Sequence, residues 1–205
     1  MNHTKVKICG LKREEDIAYV NECLPDFAGF VFYEKSSRYV SVEKARKLIS
    51  LLNPCIIPVA VFLNASIEDI RAVASTDLFP YLQVHGEFDN AYIEQIRGNK
   101  KVIQAFKVET AEDITKALSS DADFILFDHG DGGSGMSFDW SLLQNINRDF
   151  FLAGGLSEKN VAEAIRCVKP YAVDVSSNVE TEKVKDYVKI KAFINAVKCA
   201  EEEKE

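Results

Sequence analysis

Eight short apolar runs, each followed by an amphipathic stretch, fill almost the whole length of this 205-residue chain, and that repetition restricts its fold more than any other feature. The runs cover residues 6–9, 27–32, 56–62, 81–84, 102–106, 124–127, 150–153 and 172–175. Their length and near-continuous apolar character suit strands buried on both faces of a parallel sheet. The stretches between them, 14–23, 42–52, 67–74, 91–96, 111–118, 140–146, 158–168 and 184–199, read as helices, with Ser41, Ser66, Thr110, Asp139 and Ser157 as caps. Eight βα units without a Pro/Gly/Ser-rich linker predict an α/β chain folded as a single (βα)8 barrel over residues 1–205, with a parallel eight-stranded core. An open doubly wound sheet is the competing architecture. It would place a Gly-x-Gly-x-x-Gly turn after its first strand, where this chain has Cys9-Gly10-Leu11-Lys12.

In a barrel of this kind chemistry gathers on the rim at the strands' C-terminal ends, so the residues that close each run are the informative ones. They are Cys9-Gly10, the segment Glu34 to Arg38, Asn64, His85-Gly86, Lys107, Asp128, Gly154-Gly155 and Ser176-Ser177-Asn178. Nearly all are polar, reactive or glycine, whereas the turns into the strands, such as Leu24-Pro25-Asp26 and Asn53-Pro54, look like plain punctuation. That asymmetry predicts an active site at one end of the barrel.

Composition narrows the partners. A formal charge of −7 disfavours nucleic acid and anionic membranes as partners, so an anionic small molecule would have to be held by local donors. No apolar run reaches about 18 residues, and Lys5 and Lys7 stand where a signal peptide's apolar segment would begin. A cytoplasmic protein is therefore expected, with an acidic tail over 200–205 that is frayed. Five scattered cysteines suit neither a disulfide framework nor a C-x-x-C metal site, and His3, His85 and His129 lack ligand spacing, so reduced thiols and no metal are expected.

Cys9 closes the first strand, and alternation puts Lys7 on the same face. If that face lines the barrel, the ammonium favours a thiolate that a free cysteine populates to only about 3% at neutral pH. Cys9 then serves as base or nucleophile; the commoner fate of the residue type, a small buried hydrophobe, is assigned to Cys23, Cys55, Cys167 and Cys199. Asp128 follows its strand directly and opens a segment with four glycines, Gly130, Gly132, Gly133 and Gly135. A thiol and an acid facing each other across a barrel mouth suit proton transfer in both directions. Gly154-Gly155 and Ser176-Ser177 sit where barrels build phosphate sites from backbone N–H groups, or are two ordinary turns. Arg38 can clamp an anion with its guanidinium fork or lie solvated, and His85 reads equally as a polar ligand or a turn histidine.

Taken together and in order, Lys7-Ile-Cys-Gly10, Gly29-Phe-Val-Phe-Tyr33 with Ser37-Arg-Tyr-Val-Ser41, Gln83-Val-His-Gly86, Gly132-Gly-Ser-Gly135 with Phe138-Asp-Trp140, Leu152-Ala-Gly-Gly-Leu156 and Val173-Asp-Val-Ser-Ser177 with Val179-Glu180 resemble the phosphoribosylanthranilate isomerase family of tryptophan biosynthesis. The resemblance implies a cofactor-free Amadori rearrangement of a phosphosugar. It implies Asp128 as the general acid that opens the ring and Cys9 as the general base at C2. Arg38 would meet the anthranilate carboxylate, the two turns the phosphate, and His85 and Asp174 would support. The glycine-rich segment after Asp128 is expected to close over the substrate and exclude water, and the chain to work as a monomer or homodimer. Two departures from the family pattern are Met136, where relatives often carry a polar residue, and Asn178, which often is glycine and whose tolerance of left-handed backbone would preserve the turn. Two rivals remain: the sister sugar-phosphate isomerase of histidine biosynthesis, which expects paired aspartates, and a catalytically silent barrel that binds a phosphorylated ligand.

Overall fold

The computed structural model describes residues 3–128 and 140–202. Eight strands, β1 (Lys5–Cys9), β2 (Phe27–Val31), β3 (Ile57–Leu63), β4 (Tyr81–His85), β5 (Lys101–Lys107), β6 (Phe124–Asp128), β7 (Phe150–Ala153) and β8 (Ala172–Val175), form a closed barrel in sequence order. Every neighbouring pair is parallel, and β1 closes on β8 with Lys7 opposite Asp174. Closure excludes the open doubly wound sheet. All eight predicted strands are present within a residue or two of their expected bounds, and His85, Lys107 and Asp128 are the last residues of their strands.

Alternation along each strand builds two apolar layers. Val6, Ile8, Ala28, Phe30, Ala60, Phe62, Leu82, Val84, Val102, Ile125, Phe127, Leu152 and Val173 point outward and pack under the helices. Phe27, Val59, Ile103, Ala105, Leu126, Phe151, Ala153 and Ala172 point inward. At the end where the strands begin, the barrel is plugged by rings: Phe27 meets Tyr81 and Phe151, and Phe124 meets Phe151 and Tyr171, at centroid separations of 5.0–5.6 Å. Such pairs add about 0.5–1.5 kcal/mol each beyond their burial. Only the opposite end, where the polar residues collect, is left to form a site.

Five helices match the pattern: α1 (Glu14–Cys23), α2 (Val42–Ser50), α3 (Ile67–Ala74), α4 (Asn90–Arg97) and α5 (Ala111–Leu118). Ser41, Ser66 and Thr110 cap as expected, accepting from the backbone N–H of Lys44, Asp69 and Asp113. The other three differ. Trp140–Leu143 is one 3-10 turn, not a helix to residue 146. α6 (Val161–Val168) starts three residues late because Asn160, not Ser157, organises the turn: its Oδ1 accepts from the Ser157 N–H at 2.8 Å, and its Nδ2 donates to the Gly155 carbonyl at 3.1 Å. The span 184–199 divides into half of a hairpin, β9 (Glu180–Thr181) against β10 (Val184–Lys185), and helix α7 (Tyr187–Glu202), whose first turn is capped by Asp186 accepting from the Val188 and Lys189 N–H groups. The hairpin escaped sequence reading because its turn residues, Glu182 and Lys183, hold φ of 51° and 62° without being glycine.

Helix α7 continues through Ala200, which is buried, to Glu202, so the start of the expected frayed tail is helical; 203–205 lie outside the described residues. So do His129, the four glycines after Asp128, Met136 and the Asp139 cap. All five cysteines are free, but Cys55 and Cys199 are exposed and Cys23 and Cys167 half-buried, which corrects the reading of these four as buried hydrophobes. No helix among the described residues is long and apolar enough to cross a membrane.

Candidate active site

A cavity of about 300 Å³ opens at the strands' C-terminal end. Cys9, Asp128, Gly154, Gly155, Asp174, Ser176 and Ser177 all line it, together with Gln83 and Asn178. Larger grooves of about 620 and 570 Å³ lie on the flank by α4 and α5 and between β2 and α3, but neither brings a thiol and an acid together. Volume alone does not pick out the chemistry.

Cys9 faces inward, as does Lys7, whose side chain is 0% exposed and whose Nζ donates to Asp174 Oδ2 at 2.7 Å. The sulfur has room because its partner in register is Gly29: a Cβ there would lie 2.8 Å from Cys9 Sγ. The expectation that Lys7 leaves a thiolate needs correction. Burial pushes the Cys9 thiol above its ordinary range; the Lys7 and Lys185 ammonium groups pull it down, Asp174 adds to the rise, and burial prevails. Burial likewise disfavours the Lys7 cation, but the carboxylate of Asp174 and the neighbouring sulfur outweigh it and hold Lys7 above the usual range.

Two acceptors in this cavity, Gln83 Oε1 and Asp174 Oδ1, are buried with no hydrogen-bond partner among the described residues. Gln83 was part of a family motif and of strand alternation in the sequence, but was assigned no role there. At one side the cavity wall turns through Gly154 and Gly155 at φ of 85° and 67°, backbone that glycine adopts without a Cβ clash. The adjacent turn is braced against it by Asn178, whose Nδ2 donates to the Leu156 carbonyl at 2.9 Å. Asn178 is thus not used for left-handed backbone, as the sequence suggested; it sits in a short 3-10 turn (Ser177–Val179) and works through its amide. Ser176 Oγ donates to the Cys9 carbonyl at 3.1 Å, joining this turn to β1.

Arg38 does not line the cavity but flanks it, its aliphatic stem so close to Gly10 that a Cβ there would meet Arg38 Cδ at 2.4 Å. Its fork is engaged: Nε and Nη2 donate to the two oxygens of Glu180, each at 2.7 Å. The same carboxylate accepts from Lys185 Nζ at 2.7 Å. Burial would raise Glu180, but these cations hold it below the usual carboxylate range, while burial pulls Lys185 down against the opposing effect of Glu180. Sequence reasoning assigned no role to Glu180, which stood only as part of the family motif, or to Lys185, which was read as part of a helix. His85 lies apart, in a neighbouring cavity of about 260 Å³ with Asn64 and Lys107. No cluster of three or more His, Cys, Asp or Glu side chains suited to a metal ion occurs among the described residues.

Comparison with known proteins gives a consistent result. Residues 6–196 match the family model described as N-(5'-phosphoribosyl)anthranilate isomerase. A protein of that name from Thermoanaerobacter sp. (strain X514) is 46% identical over 200 residues, covering 95% of this chain and 98% of its own. The crystal structure of phosphoribosyl anthranilate isomerase from Thermotoga maritima superimposes with a TM-score of 0.88 at 40% identity, covering 96% of this chain and 99% of the other. A structure of such an enzyme in complex with reduced 1-(o-carboxyphenylamino)-1-deoxyribulose 5-phosphate superimposes with a TM-score of 0.85 at 39% identity, with the same coverage.

Proposed function

Because the chain belongs to the N-(5'-phosphoribosyl)anthranilate isomerase family, we propose that its reaction is carried by Cys9 and Asp128 across the mouth of the barrel. The protein rearranges N-(5'-phosphoribosyl)anthranilate to 1-(2-carboxyphenylamino)-1-deoxy-D-ribulose 5-phosphate in tryptophan biosynthesis. Asp128, as the acid, protonates the ring oxygen, and the C1–O bond breaks to leave an iminium between C1 and the aryl nitrogen. Cys9, as the thiolate, takes the C2 proton; the C–H electrons form the C1=C2 bond and the C=N electrons return to nitrogen. The resulting enolamine becomes the ketone by losing the hydroxyl proton at C2 and gaining one at C1.

The observation that carries this assignment is the single cavity lined by both groups, with a glycine-turn cradle at its side. Backbone N–H groups at Gly154, Gly155, Ser176 and Ser177 receive the phosphate, and Arg38 receives the aryl carboxylate. Gln83 Oε1 and Asp174 Oδ1 accept from the sugar hydroxyls, which supply the donors these buried oxygens lack. Holding the substrate at both ends converts binding energy into alignment of C2 with the sulfur. His85, in the adjoining cavity, supports the wall and does not touch the reacting carbons. We place the protein in the cytoplasm, acting on this phosphosugar without nucleic acid, as a monomer or homodimer.

The test is the fluorescence decay of freshly prepared phosphoribosylanthranilate. Cys9→Ala and Asp128→Ala each lower kcat by about 10² or more, as loss of a general base or acid does. Near-parental turnover in either variant removes that residue from the mechanism.

A further inference from the structure

We propose that Lys185 is a positioning residue that makes the Arg38 arm attractive to a carboxylate, because the Arg38–Glu180–Lys185 triad carries a net positive charge only through that lysine. The proposal rests on the reading that Arg38 receives the aryl carboxylate, and adds the charge that this reading requires.

Arg38 and Glu180 alone form a bidentate, neutral pair, with Nε on Oε1 and Nη2 on Oε2 at 2.7 Å each. A second carboxylate approaching the guanidinium would meet Glu180's repulsion close behind the attraction. Lys185 changes that sum. Its Nζ binds the same Oε1 at 2.7 Å and the Ser176 carbonyl at 3.0 Å, so two cations share one anion and the triad is left at +1. The lysine side chain is 1% exposed and that of Glu180 6%, so water screens neither strongly. Arg38's side chain is about a quarter exposed, and Glu180 occupies two of its five N–H donors, leaving three for an outside acceptor. Lys12 and Lys189 also stand near, bonded to the carbonyls of Ser37 and Glu180, but both are only half-buried and neither hydrogen-bonds the Glu180 carboxylate.

The charges define a cycle of variants: the parent triad is +1, Lys185→Met is 0, Glu180→Gln is +2, and the double variant returns to +1. Anthranilate itself is the probe, titrated at equilibrium against each purified protein, with inorganic phosphate as the control for the other end of the site. Lys185→Met should weaken anthranilate at least tenfold while phosphate affinity stays within twofold. Adding Glu180→Gln should bring anthranilate back to within threefold of the parent, and Glu180→Gln alone should tighten it. Restoration by removing a second group is not what a packing role for Lys185 predicts. The proposal is overturned if Lys185→Met binds anthranilate within twofold of the parent, if the double variant is no better than the single, or if phosphate weakens to the same degree. Should Lys185→Met fail to fold, Glu180→Gln decides alone, and unchanged or weaker anthranilate binding overturns the proposal. A parent protein that turns over the substrate yet shows no anthranilate binding sinks the role of Arg38 and this inference together.

Discussion

Gly29→Ala is the sharpest probe of the site, because the space it fills belongs to the sulfur. The added Cβ would sit 2.8 Å from Cys9 Sγ, 3.0 Å from Cys9 Cα and 3.2 Å from Cys9 Cβ. Comfortable contact between such atoms lies near 3.5–4.0 Å, so β1 and β2 must separate or the thiol must swing aside by about 1 Å. Overpacking of this kind costs about 1–3 kcal/mol of stability. A displacement of about 1 Å at a reacting group is enough for a rate loss of about 10²-fold. The expected result is a kcat lowered by one to two orders of magnitude in a folded protein, read from phosphoribosylanthranilate fluorescence alongside thermal unfolding. Gly98→Ala is the control: its Cβ meets nothing within 4 Å, but its φ of 51° strains alanine, so it costs about 1–3 kcal/mol without touching the site. In a Cys9→Ala background the sulfur contact is gone, and Gly29→Ala should cost less stability than in the parent. A kcat within threefold of the parent for Gly29→Ala, or an equal loss of kcat in the two glycine variants, would refute a controlling contact between Gly29 and the Cys9 sulfur.

Burial pushes the Cys9 thiol up, so its reactive thiolate appears only at higher pH; peptide mapping of iodoacetamide alkylation at Cys9 should place its half-maximal rate above an ordinary thiol's, about 8.5, and a midpoint at or below that would contradict this. The buried Lys7–Asp174 pair gives a second expectation: Lys7→Met strands a carboxylate and costs about 3–5 kcal/mol in urea unfolding, whereas Lys7→Met with Asp174→Leu recovers most of that stability but not turnover. Full activity in the double variant would deny Asp174 any part in holding substrate.

The strands were legible because a parallel barrel buries both faces of each one and so leaves continuous apolar runs, and the rim was legible because polar residues and glycine collect where those runs stop. The same logic placed Cys9, Asp128, Gly154, Gly155, Ser176 and Ser177, and the family resemblance added Asp174; all seven line one cavity. What stayed hidden depended on partners distant in sequence. Glu180 and Lys185 gain meaning only through Arg38, 142 residues away from Glu180, and their hairpin turns on two non-glycine residues that no turn signature marks. Gln83 stood in a family motif but gained no role for a related reason: a glutamine inside an apolar strand shows its part only when the surrounding residues leave its oxygen without a donor. The protonation of Cys9 was misjudged because alternation reveals which charge lies nearby but not how completely water is excluded.

That last point bears on how the pair can work at all. With Cys9 as base and Asp128 as acid, the productive arrangement is thiolate plus carboxylic acid, the reverse of what ordinary groups prefer. Reference values of about 8.5 for cysteine and 3.9 for aspartate separate the two arrangements by about 4.6 units, or roughly 6 kcal/mol. Burial of the sulfur widens the gap. The counterweight is an uneven distribution of charge across the mouth. Lys7 and Lys185 both act on the sulfur in the favourable direction, and Arg38 is packed against the residue that follows it. Each cation on that side favours the thiolate beside it more than it favours loss of the proton from the more distant acid, since Coulomb energy falls with distance. Two carboxylates, Asp174 and Glu180, are held among those three cations, and the cluster keeps one positive charge over. A thiolate at Cys9 neutralises that charge. On the proposed assignment of base and acid, the cations around β1 and β8 offset part of the cost that burial places on the thiolate.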